Sequence, residues 1–218
     1  MVRNDGEAYA DQGTLNCVDC GSAYSALGLQ VSAMEANTTI HVTAANVQDE
    51  PVLWLMLTYA ASMGSGGQVQ IAHAQSDPYL RTYVSEWGTR RGDQGVIARD
   101  RSGDVLGAAW LRLGGIQGPY QLADKHVPEL AMAVIPQARC RGVGSVLMSH
   151  LIESARSCYS QIILSVREDN PAVHFYSRFG FREVSRIKNR VGGESLVMSI
   201  DLAPLARPQN PVGGIHNA

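Results

Sequence analysis

No stretch of this chain stays apolar for the roughly 20 residues that a bilayer-spanning helix needs. No run of lysine or arginine offers a stripe for tracking phosphates either. Charge is scarce altogether: 17% of the 218 residues are Asp, Glu, Lys or Arg, and the net charge is -2. Bulk electrostatic binding of nucleic acid is therefore not expected. With 45% hydrophobic residues, the body does not have the composition of a disordered chain. Met1-Val2-Arg3-Asn4-Asp5-Gly6-Glu7 carries acids where a secretory signal places a basic and then an apolar segment, so a cytoplasmic location is expected. Cysteine is sparse too. Of the four, Cys17 and Cys20 form one C-x-x-C with no second pair to complete the about four ligands of a zinc site. Cys140 and Cys158 read as reduced thiols. No metal is expected.

What is present suffices for one globular domain with a full core, plus tails. Residues 1–37 are rich in Gly, Ser, Asn, Asp and Ala and lack a sustained period; they read as a flexible extension, with a short helix near 23–34. Residues 204–218, with three prolines and two adjacent glycines, read as a loose tail. Between them, 39–43 alternates like a strand. Asp49-Glu50-Pro51 opens a helix to about 61, a Gly/Ser-rich loop covers 63–68, and Asp77-Pro78 opens a second helix to about 87. Strands at 95–99 and 105–113 flank a hairpin loop, and a long loop spans 114–127. A nearly all-apolar strand at 130–135 suggests burial on both faces. A helix from 142 to 157, a strand at 162–166, a short helix at 171–179 and strands at 183–188 and 195–202 complete the pattern. The fold class expected is α/β: a mixed, largely antiparallel central sheet flanked by helices.

The informative stretch is Val134-Ile135-Pro136-Gln137-Ala138-Arg139-Cys140-Arg141-Gly142-Val143-Gly144-Ser145. A buried strand ends there, a Gly-bearing turn follows, and an amphipathic helix opens from the turn. The first amides of a helix have no internal partners and, with the helix dipole, form an anion site. Gly142 and Gly144 clear side chains from the approach, and Arg139 and Arg141 add positive charge. A pyrophosphate would suit such a loop. It is not a nucleotide P-loop, because the Gly-Lys-Ser/Thr ending is missing, and R-x-x-G-x-G is not the dinucleotide fingerprint.

Arg139-Cys140-Arg141-Gly142-Val143-Gly144 resembles the R/Q-x-x-G-x-G/A signature of the GNAT superfamily of N-acetyltransferases. Glu129-Leu130-Ala131-Met132-Ala133-Val134 is similar to the strand that precedes it in that family. Asp169-Asn170-Pro171-Ala172-Val173-His174-Phe175-Tyr176 and Phe179-Gly180-Phe181-Arg182-Glu183-Val184 are similar to later elements. The resemblance covers about 39–202 and implies a GNAT domain over 38–203. It implies acetyl-CoA as co-substrate, its pyrophosphate held by Arg139, Cys140, Arg141, Gly142, Val143, Gly144 and Ser145. It implies that two central strands splay apart, so that the pantetheine arm meets the backbone of Met132, Ala133 and Val134. Asn170 joins the cofactor set. Many members place seven residues between the Asn and Tyr of the later motif; here Tyr176 is Asn170 plus six, so Asp169 is an alternative for that place.

Acetyl transfer from a thioester requires a neutral amine, and a lysine or α-amino group is largely protonated at pH 7. Glu129, at the start of the buried strand, is the candidate base, with His126 as the alternative. Tyr176 is implied as proton donor to the leaving thiolate. His150, His174, Trp54, Trp87 and Trp110 read as packing residues, and Tyr59, Tyr83 and Tyr120 as substrate lining. The function expected is N-acetyl transfer to a small-molecule or peptide amine by direct attack. A non-catalytic acyl-CoA-binding module and a transferase of longer acyl groups are the rivals. Neither nucleic acid nor membrane is an expected partner, and a homodimer is left open.

Overall fold

The computed structural model describes residues 39–61, 68–113, 126–188 and 192–202. The expected N-terminal extension, its Cys17/Cys20 pair, the C-terminal tail, most of the 114–127 loop and Tyr120 lie outside them. Seven strands form one sheet: β1 (His41–Ala44), β2 (Gln94–Arg99), β3 (Val105–Leu113), β4 (Pro128–Val134), β5 (Gln161–Arg167), β6 (Arg182–Lys188) and β7 (Glu194–Asp201). Their spatial order is β1-β2-β3-β4-β5-β7-β6. Every neighbouring pair is antiparallel except β4 and β5. The helices are α1 (Glu50–Ala60), α2 (Gln68–Ser76), α3 (Pro78–Val84), α4 (Val143–Ala155) and α5 (Ala172–Arg178). The mixed, largely antiparallel sheet with flanking helices is the one the sequence implies.

Two cores cover the two faces of the sheet. On one, Leu53, Trp54, Met56 and Leu57 of α1 and Val84 of α3 pack on Ile97, Ala108, Trp110, Ala131 and Ala133. On the other, Leu147, Met148, Leu151 and Ile152 of α4 pack on Ala109, Leu111, Leu130, Ile162 and Leu164. The apolar β3 and β4 are thus sandwiched, which explains why their sequences hardly alternate. Odd residues of β4 face α1–α3 and even ones face α4 and α5, since successive side chains point to opposite faces.

The helix starts follow local chemistry. Asn46 and Asp49 form a reciprocal capping box around a 3-10 turn, Val47–Asp49, which leads into α1. Asp77 accepts from the amides of Tyr79 and Leu80, and Pro78 fills the first position of α3. α3 stops at Val84, three residues before the expected end, and Trp87 lies beyond it in the core. Helix α2 was not legible in the sequence. Val69, Ile71 and Ala74 make no continuous 3.6-residue stripe, and Ala74 is its one fully buried side chain among those described. The three tryptophans are core residues as expected. His150 and His174 are instead exposed: each stands on the outer side of its helix, away from the sheet.

β3 and β4 approach closely at Gly107, where a Cβ would sit 2.6 Å from the carbonyl oxygen of Ala133 and 3.1 Å from Cα of Val134. Gly107→Ala is therefore expected to destabilise the fold by about 1–3 kcal/mol, the usual cost of forced overpacking. Denaturant unfolding checks this, and an unchanged midpoint would mean the two strands are not so tightly apposed.

Candidate active site

β4 bonds β3 in register along its whole length, from Leu113↔Pro128 to Gly107↔Val134. With β5 it shares a single residue pair, Glu129↔Ile163. The parallel strands therefore meet near their beginnings and lose each other before their ends. Beyond that pair no residue of β4 is registered with β5, so the backbone of Met132, which points toward that gap, gains no partner from β5. The gap opens at the carboxyl ends of both strands, where open α/β sheets place ligands. Met132, Ala133 and Val134 border it on β4.

The loop after β4 carries the anion-binding geometry. Pro136–Ala138 forms a 3-10 turn, and Arg139 then turns back so that its Nε donates to the Val134 carbonyl at 3.2 Å. Cys140 (φ 56) and Gly142 (φ 81) are both left-handed, and Cys140 pays the steric cost that Gly142 avoids. Gly142 caps α4 with no side chain to bond the first-turn amides of Val143, Gly144 and Ser145. Space around it is open: a Cβ there would meet nothing within 4 Å. Gly144 is different. A Cβ there would lie 3.3 Å from Met132 Cε and 3.6 Å from the Phe175 ring, so this glycine lets α4, β4 and α5 converge. Arg139 and Arg141 are exposed beside the loop.

α5 follows β5 on the far side of the gap. Asn170, expected among cofactor ligands, accepts from the amide of Ala172 at 2.9 Å through its side-chain oxygen and so fixes the start of α5. Asp169 is paired with Arg167, at 3.1 and 2.8 Å, on the surface. All three phenylalanines of the chain cluster here: Phe175 lies 5.0 Å from Phe179 and 5.5 Å from Tyr176, and Tyr176 packs edge-on to Phe181 at 5.9 Å. Burial pushes the Tyr176 hydroxyl up to about 12, so it keeps its proton at neutral pH. No described residue bonds that hydroxyl.

Glu129 lies on the opposite face of the sheet. Its Oε1 accepts from the Tyr83 hydroxyl at 2.7 Å, and the Tyr83 and Tyr79 hydroxyls are 2.7 Å apart. Removal from water raises the Glu129 carboxyl to about 7, while the Tyr83 bond pulls the other way. A base near neutrality suits proton abstraction at physiological pH. His126 is exposed two residues before β4. The sequence placed Tyr83 only in the lining. The missed signal is its i, i+4 spacing from Tyr79 on a helix whose start is fixed by Asp77-Pro78.

The sequence profile of the acetyltransferase (GNAT) family matches residues 67–181, more than half of the chain. The chain belongs to the GNAT family. Among curated relatives, an N-alpha-acetyltransferase of Sulfolobus acidocaldarius is 33% identical over 117 residues. That match takes in 49% of this chain and 64% of the relative, a little under two thirds of its length. Solved folds agree. The protein yncA of Salmonella typhimurium, determined with its cofactor acetyl-CoA, superposes with a TM-score of 0.55 at 19% identity, covering 78% of this chain and 98% of that one. A GCN5-related N-acetyltransferase of Kribbella flavida gives 0.53 at 24% identity, covering 75% and 98%. The ribosomal-protein-S18-alanine N-acetyltransferase of Escherichia coli gives 0.53 at 17%, covering 79% and 99%. Among the described residues of this GNAT chain, no helix is long and apolar enough to cross a membrane, and no group of three His, Cys, Asp or Glu could hold a metal ion.

The raised Glu129 carboxyl has a consequence for stability. Between about pH 4.5 and 7 the folded protein holds a proton that the unfolded chain has released, so stability falls as pH rises through that window. Glu129→Gln removes this penalty. Relative to wild type, the variant is expected to gain roughly 2–3 kcal/mol on going from pH 4.5 to 8. Denaturant unfolding of both proteins at the two pH values measures it; an equal difference at both would show an ordinary carboxylate.

Proposed function

We propose that this chain is an acetyl-CoA-dependent N-acetyltransferase whose acceptor is the α-amine of a peptide or protein, acetylated by direct attack. The observation that carries the reading is the β4–β5 gap ending at the uncapped start of α4. An extended arm with amide groups, such as pantetheine, fits the edge of β4 that β5 leaves unpaired at Met132, Ala133 and Val134, where the Val134 carbonyl is already held by Arg139 Nε. A pyrophosphate fits the free amides of Val143, Gly144 and Ser145 and the open space over Gly142, with Arg139 and Arg141 alongside. Bound there, acetyl-CoA supplies an activated acyl group: a thioester whose carbonyl carbon takes the amine nitrogen as its bond to sulfur breaks.

The residues divide the proton work. Glu129 takes a proton from the ammonium, directly or through a water, and frees the nitrogen lone pair. Tyr176 holds its proton at the departing sulfur and gives it up as negative charge develops there. Ionisation of Glu129 near 7 favours an α-amine. Its pKa near 8 lies about one unit away, against more than three for a lysine side chain near 10.4. The Sulfolobus N-alpha-acetyltransferase supports the same acceptor class.

A peptide panel tests the proposal by release of free CoA thiol. Peptides with a free α-amine are expected to turn over, and the same peptides blocked at the N-terminus but carrying lysine are not. Preference for the blocked lysine peptides would overturn the acceptor, and failure of acetyl-CoA to bind in calorimetry would overturn the transferase. With an active peptide in hand, Tyr176→Phe is expected to cut turnover about 100-fold or more while leaving the Michaelis constant for acetyl-CoA nearly unchanged. That loss corresponds to roughly 2.7 kcal/mol in the barrier. A folded variant with wild-type turnover would leave Tyr176 as a packing residue.

A further inference from the structure

The hydroxyl chain on α3 has no place in the proton work described so far. Tyr79 and Tyr83 stand one helical turn apart, with rings 5.5 Å apart and nearly perpendicular. The Tyr83 hydroxyl hydrogen is committed to Glu129 Oε1 at 2.7 Å. Its oxygen must therefore accept from Tyr79 across the other 2.7 Å contact. This fixes the direction of both bonds: Tyr79 donates to Tyr83, and Tyr83 donates to Glu129. α3 is in turn held against the sheet, because Trp110 Nε1 of β3 donates to the Tyr83 carbonyl at 3.0 Å. Asp77 caps the helix start two residues before Tyr79.

We propose that Tyr83, oriented by Tyr79, is a positioning residue that holds one oxygen of Glu129 and thereby presents the other, Oε2, to the acceptor amine. The assignment rests on Glu129 serving as the base of the reaction proposed above. A carboxylate on a flexible side chain, taken out of water, has two failings as a base: it rotates, and it stays protonated. One short hydrogen bond from a fixed phenol answers both. It locks the carboxyl plane, and it favours the ionised form against the desolvation that disfavours it.

The charged neighbours leave that phenol as the main tuner. From β3, Arg112 stands directly opposite Glu129 in register. Its guanidinium, 3% exposed, is turned to Asp93, with Nη2 bonding Oδ2 at 3.1 Å, and to the Glu86 carbonyl at 3.2 Å. From α1, Glu50 is spent on Trp54 Nε1 and the Trp87 amide, and Tyr59 is the other titratable group of that helix. Arg81 of α3 is exposed, β5 meets Glu129 through Ile163, and His126 lies exposed before the strand.

Two measurements on the full chain test this. The first is the carboxyl carbon resonance of Glu129, followed by pH titration without any substrate. Tyr83→Phe keeps the ring and loses the donor, so its midpoint is expected to rise by about one pH unit above wild type. Tyr79→Phe is expected to raise it less, in the same direction. The second is the pH dependence of kcat/KM with an active peptide. In Tyr83→Phe the acid limb should move up by the same amount, giving about a tenfold loss below pH 6 and near wild-type rates above pH 9. A loss that is uniform across pH, with an unmoved Glu129 midpoint in both variants, overturns the positioning role. If Glu129 moves with Tyr83 but wild-type rates show no limb near its midpoint, the positioning of the carboxyl stands and the base assignment beneath it falls.

Discussion

β4 is bonded fully on one side and almost not at all on the other. Its seven residues pair with β3 from end to end, while β5 touches it at Glu129↔Ile163 and then departs. Interior backbone groups without partners are costly, so a strand edge left open in mid-sheet calls for a ligand that can act as the missing strand. The other features of the site follow from this divergence. α4 and α5 both emerge where the strands have parted, and Gly144 lets the two helices close to within a ring's contact of Met132.

The pleat of β4 then separates the duties of the site. Met132 and Val134 face α4 and α5, the side of the open helix start and of Tyr176. Glu129 faces α3 and its tyrosines. A donor thioester and an acceptor amine would thus approach the same gap from opposite faces, each meeting its own proton carrier. The face that carries Glu129 is also kept electrically quiet. Arg112, opposite Glu129 on β3, is tied to Asp93, with both side chains 3% exposed. Leaving one partner of such a buried pair alone is costly, which holds the guanidinium where it is and away from Glu129.

Much of this was legible in the sequence because local chemistry and the global fold agree. Asp77-Pro78 and Glu50-Pro51 signal helix starts by themselves, and the apolar run through 130–135 marks a strand buried on both faces. The R-x-x-G-x-G turn is local too, since the role proposed for it lies in backbone amides that the spacing positions. Glu129 and Tyr176 stood out in the sequence as candidates for base and donor, but their surroundings did not. That Tyr83 reaches Glu129 across 46 positions depends on how α3 lies on the sheet, and that Arg112 turns to Asp93 depends on register. Asn170 carries both a motif position and a helix start, and only coordinates reveal that its oxygen serves the latter. Helix α2 lacked the amphipathic stripe on which periodicity depends, so a Gly/Ser-rich neighbourhood concealed it.

The claim on which the rest depends is that the parted strands and the open helix start form one binding surface for acyl-CoA. Amide hydrogen exchange with and without acetyl-CoA reads it directly. Exchange is expected to slow at residues 130–134 of β4 and at Val143, Gly144 and Ser145 together, with little change in β1 and β2 at the far edge of the sheet. Unchanged exchange along β4 and at the start of α4 under saturating acetyl-CoA would contradict the account.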